Sequence, residues 1–126
     1  MFKINEDKSI YLTRGDIAQI EITALATGEE QYQFKTGEVV RIKVFEINGC
    51  DCVVLQKDTV VDENTTTVSI LLEKSDTKIG DIISKPKDYW YEIELNPDTA
   101  PQTIIGYDEE GAKLFRLYPE GRDSIE

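Results

Sequence analysis

The sequence predicts an all-β sandwich, and three observations lead there. Short segments in which every second residue is apolar recur at intervals of roughly ten residues, each bounded by glycine, proline, asparagine or aspartate. Isoleucine, valine, threonine and tyrosine fill those segments, and only one stretch, 73–80, has helical potential. A chain of 126 residues is long enough to bury a core without metal or disulfide support, and it suits one domain. The expected division is a single domain over 1–121 and a polar C-terminal tail over 122–126.

The organising stretch is Ser9 to Ala26. Ile10 and Leu12 flank Tyr11, and Ala18, Ile20, Ile22 and Ala24 alternate with Gln19, Glu21 and Thr23, so two half-buried strands meet at Thr13-Arg14-Gly15-Asp16. Gly15 is the hinge, because glycine alone enters positive φ without steric cost. Residues 2–5 form a short starting strand or a loose end, and Asn5-Glu6-Asp7-Lys8 is a turn. Thr27-Gly28-Glu29-Glu30 then tips a hairpin to Tyr32 and Phe34, and Lys35-Thr36-Gly37-Glu38 turns into a central strand over Val39 to Ile47. Val40, Ile42 and Val44 share its inner face.

Asn48-Gly49 is the strongest hairpin signal, pairing Phe45-Glu46-Ile47 with Cys52-Val53-Val54-Leu55. Lys57 to Asn64 has the polarity of a loop, with Val60 and Val61 as a short edge strand at most, and Thr66 to Leu72 alternates again. Ser75 or Asp76 caps the helical connector, which Gly80 ends. After a loop over Asp81 to Asp88, Tyr89, Tyr91, Ile93 and Leu95 face the core while Trp90, Glu92 and Glu94 face away. Gln102 to Tyr107 then pairs through Asp108-Glu109-Glu110-Gly111 with Ala112 to Tyr118. These elements specify an immunoglobulin-like antiparallel β-sandwich of about seven to nine strands with one short helical connector.

Composition narrows function. The net charge is −11, from 25 acidic and 14 basic residues without histidine, a balance that opposes nucleic acid and anionic membrane. Nucleophilic catalysis by serine or cysteine normally recruits a histidine base, so a non-enzymatic protein without cofactor is expected. Cys50 and Cys52 are one residue apart, too close for an unstrained disulfide on a regular strand and too few for zinc, so reduced thiols are expected. The N-terminus lacks the basic and apolar regions of a signal peptide, which predicts a soluble protein made in the cytoplasm.

Arg14-Gly15-Asp16 matches the integrin-binding tripeptide, but a turn whose arginine pairs with surface acids is the stronger reading, and no metal or catalytic site is assigned. Glu92 and Glu94, with Asp108, Glu109 and Glu110, contain the groups of a calcium site or a carboxylate pair; the spacing of a wet strand face favours solvated carboxylates. Trp90 is the most informative aromatic, since alternation sets it opposite the core, as a protein anchor, a sugar platform or a covered residue. Trp90, Ile104 and Tyr107 are therefore the candidate partner contacts.

The strand, Arg14-Gly15-Asp16 turn and second strand at the N-terminus resemble the opening of the upper baseplate protein family of phages and prophages of Gram-positive bacteria. Thr36-Gly37-Glu38-Val39-Val40, Asp76-Thr77, and Tyr89-Trp90-Tyr91-Glu92-Ile93-Glu94-Leu95 with Thr103-Ile104-Ile105 and Leu114-Phe115-Arg116-Leu117 extend the resemblance, in order, over nearly the whole chain. The departure is Lys78 to Asp88, longer than such modules usually need. The resemblance implies an attachment module of a tail baseplate, alone or free-standing, that contacts other phage tail proteins. It implies a path from host cytoplasm to virion tail, while the acidic surface, which opposes self-association at low salt, predicts a monomer or weak dimer in isolation. A carbohydrate-binding or adhesion module using Trp90 is the alternative.

Overall fold

The computed structural model describes residues 2–24, 31–46, 52–81, 83–106 and 111–120. In order, the elements are β1 Phe2–Ile4, β2 Ile10–Thr13, β3 Ala18–Ile22, β4 Val39–Phe45, β5 Val53–Val60, β6 Val68–Leu72, α1 Lys74–Thr77, β7 Lys87–Leu95, β8 Gln102–Ile105 and β9 Lys113–Tyr118. They form an all-β sandwich of nine strands with one short helix, as the alternation predicts. One sheet runs β1-β2-β9-β7-β4-β5, with β8 also on β7, and the other is β3-β6 alone. Every pair is antiparallel except β2 with β9, which run parallel from Ile10↔Phe115 to Thr13↔Tyr118.

Period-two patterning makes the strands and assigns their faces. In β3, Ala18, Ile20 and Ile22 are buried while Gln19 and Glu21 are exposed, and β6 repeats the pattern through Val68, Ile70 and Leu72. These residues pack on Ile42, Val44, Ile93, Phe115 and Leu117 of the large sheet in one continuous core. Each such side chain contributes about 1.5–3 kcal/mol when fully buried. The core therefore carries the fold through residues that sequence alternation alone identifies.

Five local expectations are corrected. The strand that follows Asn48-Gly49 in sequence, β5, runs on to Val60, so Lys57 to Val60 is strand, not loop. Its polarity is that of a sheet edge, where Arg41 of β4 pairs with Asp58 across the ladder at 2.7 Å. Among the described residues, Gln102 to Ile105 does not pair with Ala112 to Tyr118, and Tyr107 with Asp108-Glu109-Glu110 lies outside them. Instead β8 and β9 both lie antiparallel on β7, with Leu95↔Gln102 and Ile93↔Ile105 followed by Tyr91↔Lys113 and Tyr89↔Phe115. A long β7 offers more backbone partners than a short hairpin, so β8 and β9 each take their ladder from it.

The third correction is Cys52, which is disulfide-bonded rather than reduced. Reduced thiols were expected for a regular strand, whereas the β4–β5 ladder loses register between Val44 and Phe45 just before this point. Cys50, Asn48-Gly49, Thr27 to Glu30 and the 122–126 tail lie outside the described residues. Tyr32 N–H donates to Ala24 O at 2.8 Å, but Phe34 bridges Thr65 rather than continuing a ladder on β3. In the connector, Asp76 completes a capping box with Glu73, so Glu73 rather than Ser75 is the N-cap.

The Arg14 turn joins distant parts of the chain. Gly15 has φ +86°, and Asp16 N–H donates to Thr13 O at 3.0 Å. The Arg14 side chain is buried, and its guanidinium donates to Ile79 O at 3.3 Å, Gly80 O at 2.7 Å and Glu120 Oε1 at 2.9 Å. A fork with several donors on a planar frame suits such a set, and the burial removes the arginine from any integrin-like role. Thr77 Oγ1–H closes the same corner by donating to Asp16 O at 2.7 Å.

Gly15→Val is expected to lower stability by about 2 kcal/mol, because valine is strained at positive φ. Its Cβ would also stand 3.1 Å from the Glu120 carboxylate. An unchanged melting temperature would refute this. Arg14→Lys keeps the charge but not the fork, and a urea titration is expected to show a loss of about 2 kcal/mol. A loss below about 0.5 kcal/mol would show that the carbonyl contacts contribute little.

Candidate protein-contact face

The outer face of the large sheet carries the site. Register places Val53, Phe45, Trp90 and Leu114 side by side across β5, β4, β7 and β9. Val53 is exposed and the other three are half-buried. Phe45, Trp90 and Leu114 are each out of phase with their strand's buried set, and Val53 joins them as the register partner of Phe45 across the irregularity at Val44/Phe45, so the four form one apolar row on the solvent side of the sheet. The row runs perpendicular to the strands, so no single segment contains it.

Ion pairs border this row. Arg116 meets Asp88 at 2.7 Å and stacks on Tyr11, with its carbon 5.3 Å from the ring centroid. Further along, Arg41 holds Asp58 and Asp98 at 2.7 and 3.1 Å. Exposed pairs like these contribute little to stability, and here they occupy the face's charges among themselves. What is left for a partner beside them is the apolar row.

Of the predicted contacts, Trp90 lies in the row. Ile104 does not, since it packs against the core and lines a cavity between β3 and β8. Tyr107 lies outside the described residues. Phe45, Val53 and Leu114 were not singled out from sequence, because their juxtaposition depends on which strands flank β7. The signal available was weak: Phe45 and Leu114 are apolar residues out of phase with their own strands, and Val53 carries no such signal because it alternates in step with the half-buried Leu55.

Glu92 and Glu94 share this face, as alternation requires, opposite Lys43 of β4. Lys43 Nζ lies 3.1 Å from Glu94 Oε1, an ion pair outside hydrogen-bond alignment. Burial raises the Glu92 carboxyl above its ordinary value, and the Glu94 charge adds to this while Lys43 opposes it. Asp108, Glu109 and Glu110 lie outside the described residues, and among those described no three acids or cysteines are grouped to hold a metal. No helix of the described residues is long and apolar enough to cross a membrane.

Fold and face together define a β-sandwich with an apolar contact row on a charged sheet. Compared with known proteins, the chain matches no family model, no curated sequence and no solved structure.

The Glu92 shift has a definite sign. A carboxyl raised in the folded state favours folding while protonated, and that contribution is lost as pH rises from the unfolded toward the folded value. Glu92→Gln is therefore expected to gain stability over wild type as pH increases through that window, in paired urea titrations from acid to neutral pH. A difference between the two that does not vary with pH would overturn the assignment.

Proposed function

We propose that this chain is a non-enzymatic attachment module of a phage or prophage tail baseplate, joining other tail proteins through the outer face of its large sheet. The observation that carries the contact is the row of Val53, Phe45, Trp90 and Leu114. Interface anchors are characteristically aromatic and central, with charged groups at the rim, and this row has that layout. The baseplate assignment rests on the ordered motifs from Arg14-Gly15-Asp16 to Leu117. In support, Gly15 adopts the positive φ that the motif's turn demands.

The sugar-binding reading of Trp90 has less support. A sugar platform needs hydrogen-bonding groups around the ring to engage hydroxyls, whereas the cross-strand neighbours of Trp90 are Phe45 and Leu114. Saturable binding on a glycan array, lost in Trp90→Ala, would reverse this preference.

In isolation the module is a monomer or weak dimer, since a charge of −11 opposes self-association at low salt. Sedimentation over a salt series is expected to show weak association that strengthens with salt and is abolished by Trp90→Ala. A tight, salt-independent oligomer insensitive to that substitution would refute both the association state and the face.

A further inference from the structure

The two sheets leave a gap along one side of the sandwich. A cavity of about 550 Å³ lies there, with Glu21, Ile22 and Thr23 of the β3 edge on one wall and Gln102 to Ile105 on the other. β3 pairs only with β6, and β8 only with β7, so among the described residues neither has a strand on its cavity side. Ile22, Leu95 and Ile104 give the cavity an apolar lining. It is a slot between two unpaired strand edges.

Direction follows from the contacts at either end. Near the start of β3, Asp16 O accepts from Thr77, and Arg14 reaches Gly80, which lies against the Tyr89 hydroxyl. Beyond its end, Ala24 O accepts from Tyr32, whose hydroxyl donates to Glu38, the acceptor of Asn96 beyond β7. β3 and β7 thus run in the same sense and β8 in the opposite one. A strand entering the slot is antiparallel to one wall and parallel to the other, and both arrangements form backbone ladders.

The end of the slot is marked by Lys8. Its backbone has φ 73°, a left-handed conformation that L side chains disfavour. It is held there by its N–H donating to Asn5 O at 3.0 Å and by the Tyr91 hydroxyl donating to its carbonyl. Lys8 is exposed, lines the cavity and forms no ion pair with a described residue. Among the described residues it is the single cation of a lining that also carries Glu21, so the slot complements an occupant that brings a carboxylate to Lys8 and keeps it clear of Glu21.

We propose that this slot binds an extended peptide segment of a partner protein by strand addition, with alternating apolar side chains over Ile22 and Ile104 and an acidic side chain at Lys8. Strand edges that have no strand partner among the described residues, on both walls, favour an occupant that carries its own main-chain donors and acceptors over a simple apolar ligand. The site is separate from the outer-face row, so the failure of one leaves the other standing.

The probe is a pooled library of acetylated, amidated hexapeptides alternating Val, Ile or Thr with polar residues, with Glu at one end or the other. Binding is read by methyl shifts in the intact protein. Saturable shifts at Ile22 and Ile104 are expected, and N-methylation of alternate peptide amides is expected to weaken binding at least about tenfold. Lys8→Gln is expected to weaken the Glu-bearing binders by about tenfold but not their Gln counterparts. Trp90→Ala should leave binding unchanged. The proposal is overturned if no library member binds, if N-methylated peptides bind equally well, or if the shifts map to β5 or the outer face.

Discussion

One buried guanidinium fixes the relation between the beginning, middle and end of this chain. Arg14 reaches the carbonyls of Ile79 and Gly80 after α1 and the carboxylate of Glu120 after β9. Backbone carbonyls left in a covered corner need donors, and a neutral side chain supplies too few of them from one point. The contact locks the parallel pairing of β2 with β9, in which Arg14 N–H itself donates to Tyr118 O at 3.0 Å. The Arg-Gly-Asp turn is thus a keystone of the fold, with its glycine pressed against Glu120.

A large sheet opposed by only β3 and β6 has consequences for recognition. The core needs only one face of the large sheet, so the other is free to carry side chains unrelated to folding. Cross-strand ion pairs neutralise most charges described there, and the row through Trp90 interrupts them. Along the side, among the described residues, the two-strand sheet does not pair with β8, and Lys8 and Ile104 both line the gap between those edges. Both candidate surfaces follow from the same imbalance between the sheets.

Much of the fold was legible in the sequence because period-two alternation reports directly which side chains leave water. Ile20, Ile22, Ile42, Val44, Ile70, Leu72, Tyr91 and Ile93 are assigned inward by alternation and are buried. Gly15 was legible because positive φ selects glycine. The polar end of β5 and the path of β8 were misread for one reason: a polar stretch or a turn signal describes local preference, while an edge strand's pairing depends on the partner's length.

The sequence by itself determined the sandwich, the outward position of Trp90 and the shared face of Glu92 and Glu94, since each depends only on residues close together along the chain. Tertiary structure alone decided that Trp90 neighbours Phe45 and Leu114, that Ile104 turns to a cavity, and that Arg14 is buried against Glu120. Those relations join residues far apart in sequence through strand order and register. Many orders satisfy the same alternation, and only packing of the whole core selects among them.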